Sequence, residues 1–260
     1  MAHIKTKGFV IQAVPVGESD RIIRILTKEY GLISVSVRGA RRTRSPHLLS
    51  TQVFSFSSFE LFYNKNRYTL QSSELIEPFM ALQQDLERLV CASHLSEVLL
   101  DSLRDDLAQP SLYHLWAYSM QSLSQDPDPY LVVHSAQMRL LMDIGFAPRL
   151  DSCVVCNQPL HPQDLKAIAF SVSGGGLVCG QPACNHRFAD ARPVSKGVIL
   201  CLRHIQQAPL SRLFQFSLSD VVRHSLIELS AAYLSYHMEK SYTKLGLLRS
   251  LHLGNNQTTF

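Results

Sequence analysis

Along residues 32–38, LISVSVR, apolar and polar side chains alternate: Ile33, Val35 and Val37 fall on one side, Ser34, Ser36 and Arg38 on the other. A period of two marks a strand with one buried face. Residues 8–17 (GFVIQAVPVG) and 20–31 (DRIIRILTKEYG) also read as strands, the first closed by Pro15 and Gly17, the second by Gly31. VFSFSSFELFY, at 53–63, alternates with a slip of phase. Phe54 and Phe56 share a face, and Phe59 and Leu61 continue the pattern only if a bulge takes up an extra residue at Ser57–Ser58. RYTLQSSEL, at 67–75, is a fifth strand after a turn at residues 64–66. Five short strands, one of them bent, suit a small closed barrel: the OB-fold is one such barrel, and an SH3-like barrel matches the periodicity nearly as well.

Beyond Pro78 the period becomes helical. Leu82, Leu86, Leu89, Ser93, Ser96, Leu100 and Leu103 recur every three or four residues, predicting one continuous helix. PSLYHLWAYSMQSL (110–123) predicts a second helix, in which Trp116 reads as core and not as a base-stacking platform. YLVVHSAQMRLLMDIG (130–145) predicts a third, stopped by Gly145 and Pro148. Two more begin at plausible serine N-caps, near Ser195 and Ser219. Residues 151–190 are irregular, with a turn at Gly174–Gly175–Gly176, and the end GNNQTTF is polar. The expected organisation is multidomain α+β. Residues 1–78 form an OB-fold nucleic-acid-binding domain, and 79–150 the first part of a helical domain. Residues 151–190 form a zinc-binding insert, 191–250 the second helical part, and 251–260 a disordered tail.

Composition changes this picture little. The 260 residues are 46% hydrophobic and 18% charged, ordinary globular values. MAHIKTKGF does not resemble a signal peptide, and no apolar run approaches the roughly 18–20 residues that span a bilayer. The expectation is a cytoplasmic protein. Net charge is +4, but it is partitioned. Residues 1–78 carry eleven Lys and Arg against six acids, residues 79–150 carry four against nine, and residues 151–260 ten against six. Such partition suggests separate surfaces with separate partners. Four arginines, Arg38, Arg41, Arg42 and Arg44, crowd into VRGARRTRSP with no acid among them. Like charge at that density is costly to order unless the loop is solvated or meets an anion. Both readings stand on this stretch alone.

The cysteines carry the other chemistry. Cys91 and Cys201 lie in apolar helical patterns and read as core. Cys153 and Cys156 form a C-x-x-C pair, followed by Cys179 and Cys184 in the wider CGQPAC. Two turn-closed pairs make a tetrahedral thiolate site for a structural zinc with no open position for catalysis. His186 is near enough to replace Cys184, and His161 is a remoter substitute. A redox dithiol lacks the surrounding βαβ pattern, and a disulfide is disfavoured in a reducing compartment. No phosphate-binding glycine loop occurs, and no histidine pairs with a nucleophile or carboxylate at a familiar spacing. His224 and His237 read as surface or core histidines. Arg139, on an apolar helix, either snorkels over that helix or meets an acidic partner.

Taken in order, these stretches resemble the RecO family of bacterial recombination mediators. ESDRIIRILTKEYG at 18–31 is similar to the family's acidic-x-D-x-I-I stretch closing in T-x-x-x-G. VRGARRTRS at 37–45 is similar to its K-G-A-R-R/K segment, with Arg38 where lysine is common. LLMDIGFAPRLDSCVVC at 140–156, SVSGGGLVC at 171–179 and KLGLLRSLHL at 244–253 complete a series spanning nearly the whole chain. The second cysteine pair is wider than the family's usual C-x-x-C, and some members lack these cysteines. The resemblance implies an OB-fold, a helical domain and a zinc-bearing element. It implies binding of single- and double-stranded DNA and annealing of complementary strands. It also implies partnership with RecR and with the C-terminal tail of single-strand-binding protein, and through these the loading of RecA, by a protein that is not an enzyme and works at the nucleoid. On an OB barrel, Arg38, Arg41, Arg42 and Arg44 would meet phosphates from a flexible loop outside the core, with Arg21, Arg24 and Lys28 extending the track. Lys240, Lys244 and Arg249 would form a second basic surface for a second strand. An RNA-associated OB/zinc protein of translation or ribosome assembly is the alternative reading, and a metal-dependent nuclease a third that lacks the clustered carboxylates it needs.

Overall fold

The structure, a computed structural model, describes residues 2–105, 107–161 and 168–246. The chain divides into two compact units, Met1–Gln125 and Asp126–Phe260. The boundary falls inside the stretch 79–150, so the helices that follow the barrel directly belong to the barrel's own unit.

The first unit opens with five strands: β1 (Ala2–Val16), β2 (Asp20–Thr27), β3 (Gly31–Val37), β4 (Phe56–Asn64) and β5 (Arg67–Glu77). They close into a barrel in the order β1-β2-β3-β5-β4. The contact that closes it on one side is parallel, Val35 opposite Tyr68 and Ser36 opposite Thr69. A five-stranded barrel with this out-of-order return is OB-like, and the SH3-like alternative falls away. Its interior is filled by the alternating residues read from the sequence: Ile23, Ile25, Ile33, Val35, Val37, Phe59 and Leu61, with Val10 and Ala40, all without solvent exposure. The phase slip before β4 has a different origin from the one expected. Phe54 is not in the strand. It takes a left-handed backbone (φ +73), donates its N–H to the Val10 carbonyl at 2.8 Å, and stacks its ring 6.4 Å from Trp116. The β4–β5 register shifts twice, between Phe56 and Ser57 and between Glu60 and Leu61, and each time the extra residue lies in β5 (Ile76 and Gln71), so the bulge expected in β4 at Ser57–Ser58 is absent.

Three helices complete this unit: α1 (Met80–Gln84), α2 (Leu86–Ser102) and α3 (Pro110–Gln125). The single helix expected over 82–103 is two. Asp85 is extended (φ −122, ψ 120) and its carboxylate accepts the Arg88 N–H, capping α2 and ending α1. Trp116 is buried in α3.

The second unit holds α4 (Pro129–Asp143), a three-stranded sheet of β6 (Ala169–Ser171), β7 (Gly176–Val178) and β8 (Arg192–Pro193), the single turn α5 (Pro182–Asn185), and helices α6 (Lys196–Gln207) and α7 (Asp220–His237). Asp128 caps α4 by accepting the Leu131 N–H at 3.0 Å and receives the Arg223 guanidinium from α7 at 2.5 and 2.8 Å. Burial works against the Asp128 carboxylate, but Arg223 and the Leu131 amide more than compensate and hold it below its usual range. Between α4 and α7, His134, Gln137 and Ser230 form a buried polar cluster, the His134 ring 2.6 Å from the Ser230 hydroxyl. Gly145, just past α4, adopts φ +107. The expected tail, 251–260, lies outside the described residues.

Candidate nucleic-acid interface and metal centre

The basic loop begins where β3 ends. In the β2–β3 ladder Val37 lies opposite Arg21, and in the β1–β2 ladder Val16 lies opposite Asp20, so the β1–β2 turn and the segment after β3 meet at one end of the barrel. Asp20 ties them together. Its carboxylate accepts the Gly39 N–H at 2.8 Å and the Ser19 hydroxyl at 3.0 Å. The Gly39 N–H above all, then Ser19 and the charges of Arg38 and Arg42, hold that carboxyl below its ordinary value. Gly39 can turn because it is glycine, at φ +63. Arg41 donates its N–H to the Ser19 carbonyl at 2.9 Å and its guanidinium to the Gly17 carbonyl at 3.1 Å. Ala40, between them, is a member of the barrel core. The segment is therefore an anchored turn, not the flexible loop outside the core that the sequence suggested. Its four arginines, Arg38, Arg41, Arg42 and Arg44, are all exposed.

The other basic residues separate by environment. Arg21 lines a cleft of about 650 Å³ together with Arg41, Pro15 and Phe54. Arg24 is occupied by an ion pair with Asp105. Lys28 is exposed in the turn between β2 and β3. Lys240 and Lys244 belong to the second unit, where Lys240 lies over the Tyr242 ring at 5.1 Å, and Arg249 lies outside the described residues. Two cations were missed. Lys65 and Arg67, at the tip of the β4–β5 hairpin, line one cleft with Arg38. In the sequence Lys65 reads only as a turn residue and Arg67 only as the start of the fifth strand. The parallel pairing of β3 with β5 is what brings them to Arg38, and no local pattern announces it.

The four cysteines converge by a different route. Gly175 and Gly176 turn the chain from β6 into β7. A Cβ on Gly176 would lie 2.4 Å from the Arg149 carbonyl oxygen, so only glycine passes there. Arg149 brackets the turn, donating to the Gly175 carbonyl at 2.9 Å and accepting from Leu177 at 3.0 Å. Val154 then donates to the Leu177 carbonyl at 2.9 Å, hanging the C-x-x-C knuckle on β7, and Cys179 follows the same strand directly. In CGQPAC, α5 supplies the extra turn and directs Cys184 inward. The sulfurs of Cys153, Cys156, Cys179 and Cys184 all lie within 4.8 Å of one another. His186 and His161 are exposed and stand outside the cluster. Cys156 and Cys179 are 3.8 Å apart, about the edge of a tetrahedron with ~2.3 Å metal–sulfur bonds.

Burial acts to raise the Cys153 thiol, but backbone N–H groups of Cys156, Cys179 and Val155 point at it and bring it to about 6. Burial and the neighbouring thiols of Cys179 and Cys156 push Cys184 up to about 12. Four sulfurs this close cannot all ionise beside one another without a cation to hold them, so the donor set suits a thiophilic metal. Cys91 and Cys201 are buried elsewhere, as expected. Arg139 stays partly over its own helix and also reaches the neighbouring α6. Its guanidinium reaches Asp143 at 3.0 Å and the Ile205 and Ala208 carbonyls at 3.1 and 2.8 Å, closing the end of α6.

Fold and site together define an α+β protein whose OB-like barrel carries an anchored cationic turn and whose second unit carries a four-cysteine cluster. The family model described as Recombination protein O N terminal matches residues 1–79, and that described as Recombination protein O C terminal matches 83–246. The chain is 34% identical over 252 residues, 96% of its length, to a DNA repair protein RecO of Acetivibrio thermocellus, covering 98% of that protein. It is 27% identical to one of Thermoanaerobacter sp. over 96% of its length and 99% of that protein, and 32% identical to one of Listeria monocytogenes over 67% of each. The chain therefore belongs to the RecO family of DNA repair and recombination proteins. No helix among the described residues is long and apolar enough to cross a membrane.

Proposed function

We propose that this protein is a DNA-binding recombination mediator of the bacterial cytoplasm, acting at the nucleoid. It binds single- and double-stranded DNA, anneals complementary strands, and helps load recombinase onto strands coated by single-strand-binding protein. Its protein partners in this reading are RecR, the tail of single-strand-binding protein and, indirectly, RecA. The observation that carries the reading is the anchored turn at residues 38–45. Four exposed arginines held on one end of an OB-like barrel form a positive surface that suits a polyanion, whose phosphates neutralise it with release of counterions. Family membership directs that chemistry to DNA. The four thiolates hold one structural zinc: Cys153, Cys156, Cys179 and Cys184 supply every ligand, leaving no open coordination position. The work is done by binding, with no bond made or broken.

The test is renaturation of two complementary labelled oligonucleotides with the purified protein, with and without Mg²⁺ and ATP. The reading predicts faster annealing that needs neither, and tighter binding of DNA than of RNA. Preference for RNA transfers the protein to the OB/zinc class of translation, and strand cleavage in Mg²⁺ contradicts the reading outright.

A further inference from the structure

The outer face of the β4–β5 hairpin carries a feature that the cationic turn does not account for. An open groove of about 750 Å³ is lined by Arg38, Lys65 and Arg67, with Phe62, Thr69 and Gln71 among its walls. It holds three cations and no acid. The hairpin turn is built for this: Lys65 and Asn66 both take left-handed backbone (φ +48 and +58), the geometry of a two-residue turn that matches strand twist. That turn brings Lys65 to the tip, next to Arg67, and the β3–β5 pairing brings Arg38 alongside. None of the three forms an ion pair among the described residues. Phe62, opposite Thr69 in the ladder, is a half-buried aromatic on the outward face, steadied by the His3 ring packed edge-on at 5.4 Å. Glu60, two residues before Phe62 and on the same face of β4, is neutralised by Lys5 at 2.5 Å and accepts the Ser72 hydroxyl at 2.8 Å.

Cations around an aromatic floor are the chemistry of single-strand binding, in which a base stacks while its phosphates are held. A base within a duplex has both faces already stacked and cannot offer one. Resting on the proposed function above, we infer that this groove is a single-strand-selective subsite: an unpaired base stacks on Phe62, and Arg38, Lys65 and Arg67 hold the flanking phosphates. The arginines of the turn thereby divide their work. Arg38 belongs to the hairpin groove, and Arg41 belongs to the separate cleft that it shares with Arg21. The hairpin groove selects unpaired strand by stacking, whereas the exposed remainder of the turn meets phosphate of either form.

The test is binding of three labelled ligands of equal length to the full chain: oligothymidylate, an abasic deoxyribose-phosphate strand, and a duplex. The wild type binds oligothymidylate about 5- to 150-fold more tightly than the abasic strand, the range for one stacked base. Phe62→Ala closes that gap and leaves duplex affinity and the melting temperature unchanged, while Phe62→Tyr keeps it. Lys65→Ala with Arg67→Ala flattens the log–log salt slope on both single strands by about 1.4, two phosphates' worth. If Phe62→Ala does not fold, Phe62→Leu replaces it. A gap that survives the loss of the ring, or an equal loss on all three ligands, overturns the subsite and leaves the proposed function standing. A wild type that binds none of the three overturns both.

Discussion

Asp20 shows why single residues were only half legible. The arginines were visible as a run of like charge, and so was the question they raised. Their anchor was not visible, because it lies nineteen positions away from Gly39 and meets it only when β1, β2 and β3 pair. The same holds for Arg24, which reads as one more cation on a strand until the fold places Asp105 against it. Pinning the turn matters because arginines fixed at a barrel end meet phosphate with less ordering cost than arginines on a free loop. Removing the anchor should therefore be felt locally. In Asp20→Ala the Gly39 amide should lose protection against hydrogen exchange by about five- to tenfold, the opening of one charge-assisted bond, while amides in the middle of β3 keep theirs. Acid should act the same way on the wild type. The carboxyl is held below its ordinary value, near 3.9 for a free Asp. Its contribution is thus complete above that value and is lost as pH falls through the lowered one. Gly39 protection that is indifferent to both Asp20→Ala and acid contradicts the anchor.

At the scale of elements, periodicity identified most strands and helices but misread their junctions. The 82–103 pattern hid the break at Asp85, because a capping aspartate on the polar face costs the hydrophobic repeat nothing. Phe54 and Phe56 suggested one alternating strand, yet Phe54 serves the α3 contact through Trp116 from outside the ladder. The metal element shows the same division. C-x-x-C was legible from spacing, but the choice between Cys184 and His186 was not, since both fall within reach of a turn. The structure winds Pro182–Asn185 into a helical turn that carries Cys184 into the cluster and leaves His186 exposed. The chain as isolated should hold about one zinc. Cys184→Ser should fall well below that stoichiometry and melt at a lower temperature, whereas His186→Ala should keep both its zinc and its stability. Because each thiol must give up a proton to ligate, zinc affinity should fall as pH falls. Elemental analysis of the two variants beside the wild type decides it, and full zinc in Cys184→Ser contradicts the assigned fourth ligand.

Over the whole molecule, the partition of charge read from the sequence acquires a physical meaning. Part of the acid that follows the barrel is spent on the barrel itself, as Asp105 on Arg24. Among the cations left exposed are those of the turn at one barrel end and of the hairpin beside Arg38. Long-range electrostatics of this kind leave a signature in salt dependence, because every phosphate neutralised releases counterions, at roughly −0.7 in the log–log slope per contact on single strands. The central claim is that the anchored arginines bind phosphate without reading sequence. It is tested most directly by titrating single-stranded DNA of two unrelated sequences with wild type and with Arg41→Ala/Arg42→Ala across a range of salt. The account predicts equal weakening on both sequences and a slope flattened by about 1.4, with zinc content and melting temperature unchanged because both side chains lie outside the core. An unchanged affinity and slope in the double variant would mean that the turn is only a solvated surface, and that DNA is held elsewhere.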